Sequence, residues 1–230
     1  MSKADLRLDW CSHEAAKYAV MNWHYSRSMP MGRLVKVGAW ERGKFIGCVI
    51  FAQGNNQHHG KAFGLGLFEV CELVRVALSS HVSAVSRIVA LALSFLKRYC
   101  TGIRLVVSYA DPEHGHVGGI YQAGNWAYVG TGGSTDAFVD STGKRLHSRA
   151  YSPAGAKIQF GQFAQTAPTG AIRRVAVAPK HKYFMPMDYE MRAKIAPLSK
   201  PYPKHPASEA GNGAVQAHSG GAAPTRTLHV

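Results

Sequence analysis

The sequence predicts an α+β fold, a mixed central sheet with helices packed on both of its faces. Two patterns favour this class: a β-hairpin pattern at residues 33–52, and a strand, helix, strand succession between residues 67 and 109. The composition is that of a folded domain, because 46% of the 230 residues are hydrophobic and only 17% are charged. A chain of this length buries enough surface to fold without disulfide or metal cross-links.

The first predicted elements are a helix and a hairpin. Residues 12–22 carry helix formers with an apolar face, and Ser12 is placed to cap the N-terminus of that helix. Two apolar, strand-like runs follow at 33–40 and 44–52. They are joined by a short glycine-containing turn at 41–43, which is typical of a hairpin.

A βαβ unit follows the hairpin. Residues 67–78 form a long alternating strand, and residues 103–109 form a short strand rich in β-branched and aromatic residues. Between them, apolar residues at helical spacing run to residue 99, with Ser79 and Ser80 as the predicted cap. The handedness of such units makes the two strands parallel neighbours with the helix packed over them.

The rest of the folded part is predicted to hold shorter elements. We expect a glycine-broken helix at 116–123, a strand at 126–130, and a second hairpin built from 137–139 and 145–151. These elements complete one domain at residues 1–199. From residue 200 the chain is rich in Pro, Gly, Ala and Ser and poor in large apolar residues, so residues 200–230 are predicted to be a flexible, disordered tail.

The cysteines and the apolar segments bear on the compartment. Four scattered cysteines form no C-x-x-C pair and suggest neither a zinc site nor a disulfide framework. The N-terminus has no apolar signal region, and no apolar stretch reaches the length of a membrane span. We therefore expect a reduced, cytoplasmic setting and no membrane partner.

The charge of the chain predicts a polyanionic partner. Lys and Arg number 27 against 13 Asp and Glu, which gives a formal net charge of +14. The basic residues near the C-terminal end of the domain lie among aromatic residues, as in a surface that binds the phosphate backbone of a nucleic acid. The residues predicted to contact nucleic acid are Lys144, Arg145, Arg149, Arg173, Arg174, Lys180 and Lys182.

Two loops leave the carboxyl ends of the predicted parallel strands, where ligands bind in open sheets of this kind. In the first, Ser79 and Ser80 either cap the helix or help to bind an anionic or carbonyl group. In the second, Asp111 is either a general base or a turn residue before Pro112. The His114-x-His116 pair of the second loop has no third ligand in reach by spacing, and no metal site is predicted.

A third candidate region lies after the first predicted helix. The run of His24, Tyr25 and Ser26 has no packing explanation and precedes Arg27. Polar aromatic residues beside a basic residue could bind a nucleobase that is flipped out of the duplex, because they offer a stacking face and a few hydrogen bonds. Farther along, Glu72 falls on the otherwise apolar side of the long strand, where a charge needs a partner or a function.

The order of elements resembles the GCN5-related N-acyltransferase fold over about residues 12 to 135. LFEVCELVRVAL leads into a capped helix, followed by IRLVVSYAD and GGIYQAGNWAYVG. The pyrophosphate loop of that fold is Arg/Gln-x-x-Gly-x-Gly/Ala, whereas this chain has SSHVSA. The missing glycines argue against ordinary acetyl-CoA as donor, and the donor metabolite is left unassigned.

A more specific resemblance runs through the folded chain. The blocks WHYSRSMP, ELVRVAL, SYADPEHGHVGGIYQAGNW, STGKRLHSRAY and PKHKYFMP together are similar to the Mom family of bacteriophage DNA-modification proteins. The resemblance implies a transferase that converts adenine in double-stranded DNA to N6-carbamoylmethyladenine and so protects phage DNA from host restriction. The site residues it implies are His24, Tyr25, Arg75, Asp111 and Tyr121.

The chemistry of that reaction suggests a role for each residue. The N6 amine of adenine is a poor nucleophile, so we expect Asp111 to accept its proton. Tyr121 or Tyr25 would position the base or protonate the leaving group, and Arg75 would stabilise negative charge on the donor or in the transition state. Two other functions stay open: an acyl-CoA-dependent N-acetyltransferase acting on a protein or small amine, and a non-enzymatic basic DNA-binding protein.

Overall fold

The structure is a computed structural model that describes residues 5–53, 59–132, 136–143, 145–146, 158–159, 162–163 and 172–204. The strands are β1 (Leu6–Trp10), β2 (Arg33–Glu41), β3 (Lys44–Gln53), β4 (Val70–Leu78), β5 (Leu105–Ala110), β6 (Ala127–Gly132), β7 (Asp136–Asp140), β8 (Arg145–Leu146), β9 (Ile158–Gln159), β10 (Gln162–Phe163), β11 (Ile172–Ala176) and β12 (Lys180–Pro186). The helices are α1 (His13–Trp23), α2 (Val85–Tyr99), α3 (Gly119–Gln122) and α4 (Tyr189–Ile195). Single 3₁₀ turns lie at Lys61–Phe63, Pro112–His114 and Ala196–Leu198.

A seven-stranded mixed sheet forms the centre of the molecule, in the order β1-β2-β3-β4-β5-β12-β6. β4 and β5 are parallel, and the other neighbouring strands in this sheet pair antiparallel. The predicted hairpin is confirmed as β2 and β3, and the predicted βαβ unit is confirmed as β4, α2 and β5. β7, β8 and β11 form a separate small sheet, and β9 pairs with β10.

Helices cover both faces of the sheet, as the sequence predicts. α1 and α4 bury apolar residues against one face. α2 buries its apolar stripe against the other face, where Tyr121 of α3 joins the same cluster. The α2 residues in this cluster are Ile88, Val89, Ala92, Leu93 and Leu96. The α+β class with helices on both faces is therefore confirmed, and no helix in the described part of the chain could cross a membrane.

The two predicted helix caps have different outcomes. Ser12 caps α1 as expected, because its side chain accepts a hydrogen bond from the Ala15 N–H. The predicted cap of α2 is wrong, since that helix begins at Val85 with no side-chain cap. Ser79 and Ser80 lie outside it. Ser79 instead extends the pairing with β3: its N–H and Oγ donate to the Ile46 carbonyl over 2.8 and 3.2 Å.

β12 is a central strand that the sequence pattern does not predict. It lies between β5 and β6, so the predicted strand at 126–130 does not pair directly with β5. The run KHKYFMP begins with three polar residues, a pattern that predicts a basic surface segment and not a central strand. Its position follows from Tyr183 and Phe184, which are buried in clusters on opposite faces of the sheet.

β4 contains a bulge beside Arg75. Ile50 of β3 lies opposite Arg75 and Phe51 lies opposite Leu73, which leaves Val74 as the extra residue. A bulge shifts the alternation of side chains, so the single alternation predicted for this strand is wrong beyond Leu73. The β4 residues that contribute to the α2 side of the sheet are Cys71, Leu73, Val76 and Leu78.

β4 and β5 separate where the bulge begins. Their pairing ends at Leu73 and Ser108. β4 then stays with β3 while β5 stays with β12, so the carboxyl ends of the two parallel strands diverge. Backbone N–H and C=O groups on the facing edges of the diverging strands are not paired with each other. A ligand can therefore bind between the two strand ends.

The first residues of the predicted tail contact the domain. The Lys200 N–H donates to the Tyr128 carbonyl over 2.8 Å, and the Tyr202 hydroxyl donates to the Trp126 carbonyl over 2.9 Å. Residues 205–230 of the predicted tail, and residues 147–151 of the predicted second hairpin, lie outside the described part of the chain.

Candidate active site

A cavity of about 490 Å³ lies where β4 and β5 diverge. Its walls come from β4 around the bulge, the end of β5 with the loop that follows, α3, and the end of α1. All five residues predicted to be catalytic lie on it: His24, Tyr25, Arg75, Asp111 and Tyr121. They come from four separate segments of the chain that meet at this cavity.

Aromatic rings are stacked along one side of the cavity. The His24 and Tyr25 rings are stacked with centroids 4.3 Å apart, and the Tyr25 and His114 rings are tilted at 4.5 Å. His116 lies 5.9 Å from Tyr25. Tyr25 is 56% exposed.

His24 is held in one tautomer. The Ser26 N–H donates to His24 Nδ1 over 3.1 Å, so this nitrogen is an acceptor and the ring proton lies on Nε2. Burial, together with the positive charge of Arg75, lowers the pKa of His24 to about 4. At neutral pH His24 is therefore an uncharged hydrogen-bond donor through Nε2.

Arg75 is a half-buried cation in the cavity wall. Its Nε and Nη2 atoms donate to the Ser28 carbonyl over 3.2 and 3.1 Å, and Nη1 donates to the Val74 carbonyl over 2.7 Å. Val74 is the bulge residue, whose carbonyl thus gains a partner. Burial lowers the pKa of Arg75 below its usual value. Among the residues that the structure describes, no carboxylate forms a salt bridge with this guanidinium.

Asp111 is buried, and its contacts show the turn role considered for it. Its Oδ1 accepts from the Glu113 N–H and so caps the turn at Pro112–His114. Its Oδ2 lies 2.8 Å from Lys180 Nζ and 3.5 Å from His114 Nδ1. Burial alone raises the pKa of Asp111, but Lys180, the Glu113 N–H and His114 together bring that pKa below its usual value.

Tyr121 stands on α3 at the back of the cavity and is 7% exposed. Its hydroxyl lies 2.7 Å from Ser108 Oγ, which also lies 2.9 Å from the Leu73 carbonyl. Burial raises the pKa of Tyr121 to about 12, so the phenol stays protonated at neutral pH. Gly118 begins this segment with φ +83°, and a Cβ atom there would collide with the Tyr183 ring.

Tyr109 is a cavity residue that was not singled out from the sequence. Its hydroxyl lies 2.9 Å from Nε2 of the buried His59. Burial, with the negative charge of Glu72, raises the pKa of Tyr109 to about 12. Tyr109 is the next-to-last residue of β5, and the loop that begins at Asp111 follows this strand. This position is the signal that could have identified it.

The two serines predicted to bind the donor are not among the cavity-lining residues. Ser79 is engaged with the Ile46 carbonyl, and the cavity instead meets His81 and Val85 of the same connection. The described residues also contain no cluster of three or more His, Cys, Asp or Glu side chains that could hold a metal ion.

The residues predicted to contact DNA are partly described. Arg173 and Arg174 are exposed on β11, and the Arg174 guanidinium lies 5.7 Å from the centre of the Phe138 ring. Lys180 is paired with Asp111 at the cavity, and Lys182 is half-buried with its ammonium 4.8 Å from the centre of the Phe184 ring. Lys144, Arg149 and the side chain of Arg145 lie outside the described part.

Comparison with solved structures finds distant likenesses. An aminoglycoside 6'-N-acetyltransferase from Enterococcus faecium matches with a TM-score of 0.46 and 9% identity over 80% of this chain and 98% of that one. An N-acyl amino acid synthase from uncultured soil microbes matches with a TM-score of 0.45 and 10% identity over 80% and 92% of the two chains. At these values the likenesses add nothing to the fold described above.

Comparison of sequences is more specific. A methylcarbamoylase named mom from Escherichia phage Mu is 25% identical over 147 residues, which make up 62% of this chain and 60% of that protein. The model of the Mom protein family matches residues 5–204, a span that includes every cavity residue. The resemblance inferred from the sequence blocks is thereby confirmed, and the chain belongs to the Mom protein family.

Proposed function

We propose that this chain is a transferase that converts adenine in double-stranded DNA to N6-carbamoylmethyladenine, and that it acts in the host bacterial cytoplasm to protect phage DNA from restriction. The observation that carries the proposal is the cavity, which places a stacking ring, a cation, a carboxylate and a protonated phenol around one space. They are Tyr25, Arg75, Asp111 and Tyr121. Membership of the Mom family and the methylcarbamoylase relative support the same reaction.

The adenine would reach the cavity by leaving the duplex. A base inside a helix cannot present its N6 atom to an enzyme, so it is rotated out at a cost that stacking partly offsets. The exposed Tyr25 ring, backed by His24 and His114, is the stacking partner we assign. His24 Nε2–H is a donor suited to a ring nitrogen of the base.

The transfer joins the adenine N6 atom to a carbon of the donor and breaks the bond between that carbon and its leaving group. Attack makes the N6 nitrogen a strong acid, so even a carboxylate of low pKa can take its proton. Lys180 keeps Asp111 ionised and ready for that role. Tyr121, which stays protonated, gives its proton to the leaving group, while Arg75 stabilises negative charge on the donor.

The duplex would be held by basic residues outside the cavity. Arg173 and Arg174 are exposed on β11 and are our assigned phosphate contacts. Such contacts fix the position of the DNA without reading its sequence. They would therefore add affinity at any site, while the cavity supplies the chemistry.

The test is to express the protein in bacteria, digest the host DNA to nucleosides and search for a modified deoxyadenosine by mass spectrometry. Wild-type protein should produce it, and Asp111→Asn, which keeps the capping oxygen, should abolish it while DNA binding persists. Asp188→Asn is the matched control, because Asp188 also caps a helix and pairs with a cation, Arg104, away from the cavity. Unmodified DNA from the wild type would favour a DNA-binding protein without activity, and full activity in Asp111→Asn would remove the assigned base.

A further inference from the structure

The connection between β4 and α2 contains an anion site that the protein fills itself. Backbone N–H groups in a loop that leads into a helix can bind phosphate, because they lie near the positive end of the helix dipole. Here the N–H groups of Val82 and Ser83 donate to the two carboxylate oxygens of Glu41, over 2.8 and 2.7 Å. His81 and Val85, on either side of these residues, line the cavity.

Glu41 is fixed in this position by the sheet. It is the last residue of β2 and is only 7% exposed. The turn residues Arg42 and Gly43 have φ of 51° and 77°, and the Arg42 N–H donates to the Asp5 carbonyl, so the strand end cannot easily turn away. Hydrogen bonds from Ser83 and Val82 hold the pKa of Glu41 below its usual range, so the side chain is a carboxylate at neutral pH.

The charge of this carboxylate is stabilised mainly by hydrogen bonds from Ser83 and Val82, with the smallest contribution from His81. Among the described residues, no Lys, Arg or His forms a salt bridge with Glu41. A phosphate that approached the start of α2 would meet a buried negative charge in place of free N–H donors. Arg75, at the bulge of β4, is the guanidinium that lines the cavity.

Glu41 could be only a clamp that holds the connection in place. A clamp, however, could be made by any acceptor, such as Asn, Ser or a backbone carbonyl. The His81 Nδ1 atom nearby is buried and has no hydrogen-bond partner among the described residues, so the connection keeps polar capacity that the clamp does not use. A full charge bound to residues that adjoin the cavity-lining His81 and Val85 therefore points to selection of what binds there.

Resting on the proposed function, we infer that Glu41 is a specificity-determining residue that excludes donors carrying a pyrophosphate. The group donor is then a small metabolite without a nucleoside diphosphate. Arg75 binds the negative charge of such a donor. The inference concerns what binds beside α2, and binding is measurable without any DNA modification.

The first experiment compares two probes on the wild-type protein by calorimetry: acetyl-CoA, and acetyl-pantetheine, which carries the same thioester without phosphates. We expect the two affinities to agree within about threefold, or neither probe to bind, because the phosphates gain no partners. A preference of about tenfold or more for acetyl-CoA would overturn the inference.

The second experiment removes the Glu41 carboxylate from the N–H groups of Val82 and Ser83. Glu41→Ala frees both N–H groups, and Glu41→Gln removes the charge at nearly constant shape, in case the alanine variant does not fold. Affinity for inorganic pyrophosphate should rise by about tenfold or more in a folded variant, but not in the control Glu69→Gln, whose carboxylate accepts from the Gly66 N–H. No gain in any folded variant overturns the inference. Should neither variant fold, the comparison of the two probes on wild type decides. Nucleoside analysis of wild type tests the proposed function separately.

Discussion

Replacing Tyr121 by Phe removes one hydroxyl from the back of the cavity and leaves the ring in place. The hydroxyl has one described partner, Ser108 Oγ at 2.7 Å, and Ser108 keeps the Leu73 carbonyl as a second partner. The ring also keeps its packing against Trp126 and Tyr183, with centroids 5.0 and 5.1 Å away. The change is therefore small for the fold and large for a reaction that uses the proton.

The two magnitudes differ enough to be told apart. Loss of one buried, neutral hydrogen bond costs about 0.5–1.5 kcal/mol of unfolding free energy. For a domain of this size that corresponds to a decrease in Tm of roughly 2–4 °C per kcal/mol. Loss of a general acid lowers the rate of reaction by about 10²–10⁴-fold. A stability loss of the first size cannot empty the folded state, so it cannot produce the second effect.

The assay measures the fraction of modified deoxyadenosine in host DNA soon after induction, before the wild type saturates its sites, with protein levels matched. Tyr183→Phe is the control: it also removes a hydroxyl, the one that donates to the Val117 carbonyl, and Tyr183 does not line the cavity. We expect Tyr121→Phe to lose modification and Tyr183→Phe to keep it. If both variants modify DNA at similar early rates, Tyr121 is not the proton donor.

Further predictions concern charge. The pKa of His24 is lowered from 6.5 to about 4 in the folded protein, so as pH falls His24 is protonated in the unfolded chain before it is protonated in the folded one. The free energy of unfolding should then fall by up to about 3 kcal/mol as pH decreases from 6.5 to 4, and urea titrations of His24→Gln should show a shallower fall. Lys180→Met should lower that free energy at neutral pH by about 1–3 kcal/mol, since it leaves buried Asp111 without its cation; an unchanged denaturation midpoint would contradict the pairing. Replacing Arg173 and Arg174 by Gln should reduce the salt dependence of DNA binding by up to about one phosphate contact each, as measured by fluorescence anisotropy, and an unchanged slope would place the DNA surface elsewhere.

The elements that the sequence predicts correctly are those whose signals are local. The N-cap of α1 needs only Ser12 and the residues that follow it, and the β2–β3 turn needs only Arg42 and Gly43 at positive φ. The apolar stripe of α2 has a period that no other structure shares. Such features are set by a few neighbouring residues, so a reading along the chain can find them.

The features that the sequence does not give depend on distant partners. Just before α2, the N–H groups of Val82 and Ser83 donate to the carboxylate of Glu41, which lies 41 and 42 residues away in the chain. The bulge at Val74 appears only in the register of β3 against β4. β12 enters the sheet because its neighbours provide both faces for Tyr183 and Phe184, although the run begins with charged residues.

The candidate site shows the same division. The sequence, with the family resemblance, named five residues that the structure brings to one cavity, among them Asp111. It did not show that Lys180, placed among the phosphate contacts, lies 2.8 Å from that carboxylate. The pairing joins β12 to the end of β5, and β12 is the strand that the sequence pattern lacks. Because the sequence pattern does not predict that strand, it does not predict the pairing of Lys180 with Asp111 either.

The proposed function gives Lys180 a role as the partner of Asp111 beside bound DNA. The chain carries a formal net charge of +14, so phosphates gather on it, and their negative field raises the pKa of any acid near the bound duplex. An acid that must accept a proton at neutral pH has to be protected against that shift. Lys180 supplies positive charge to one oxygen of Asp111, which also lies 3.5 Å from His114 Nδ1, while the Glu113 N–H binds the other oxygen. We therefore expect Lys180→Met to impair modification most strongly at the acidic end of the pH range, where a raised pKa leaves Asp111 protonated; equal impairment at all pH values would show that Lys180 acts on the DNA and not on the base.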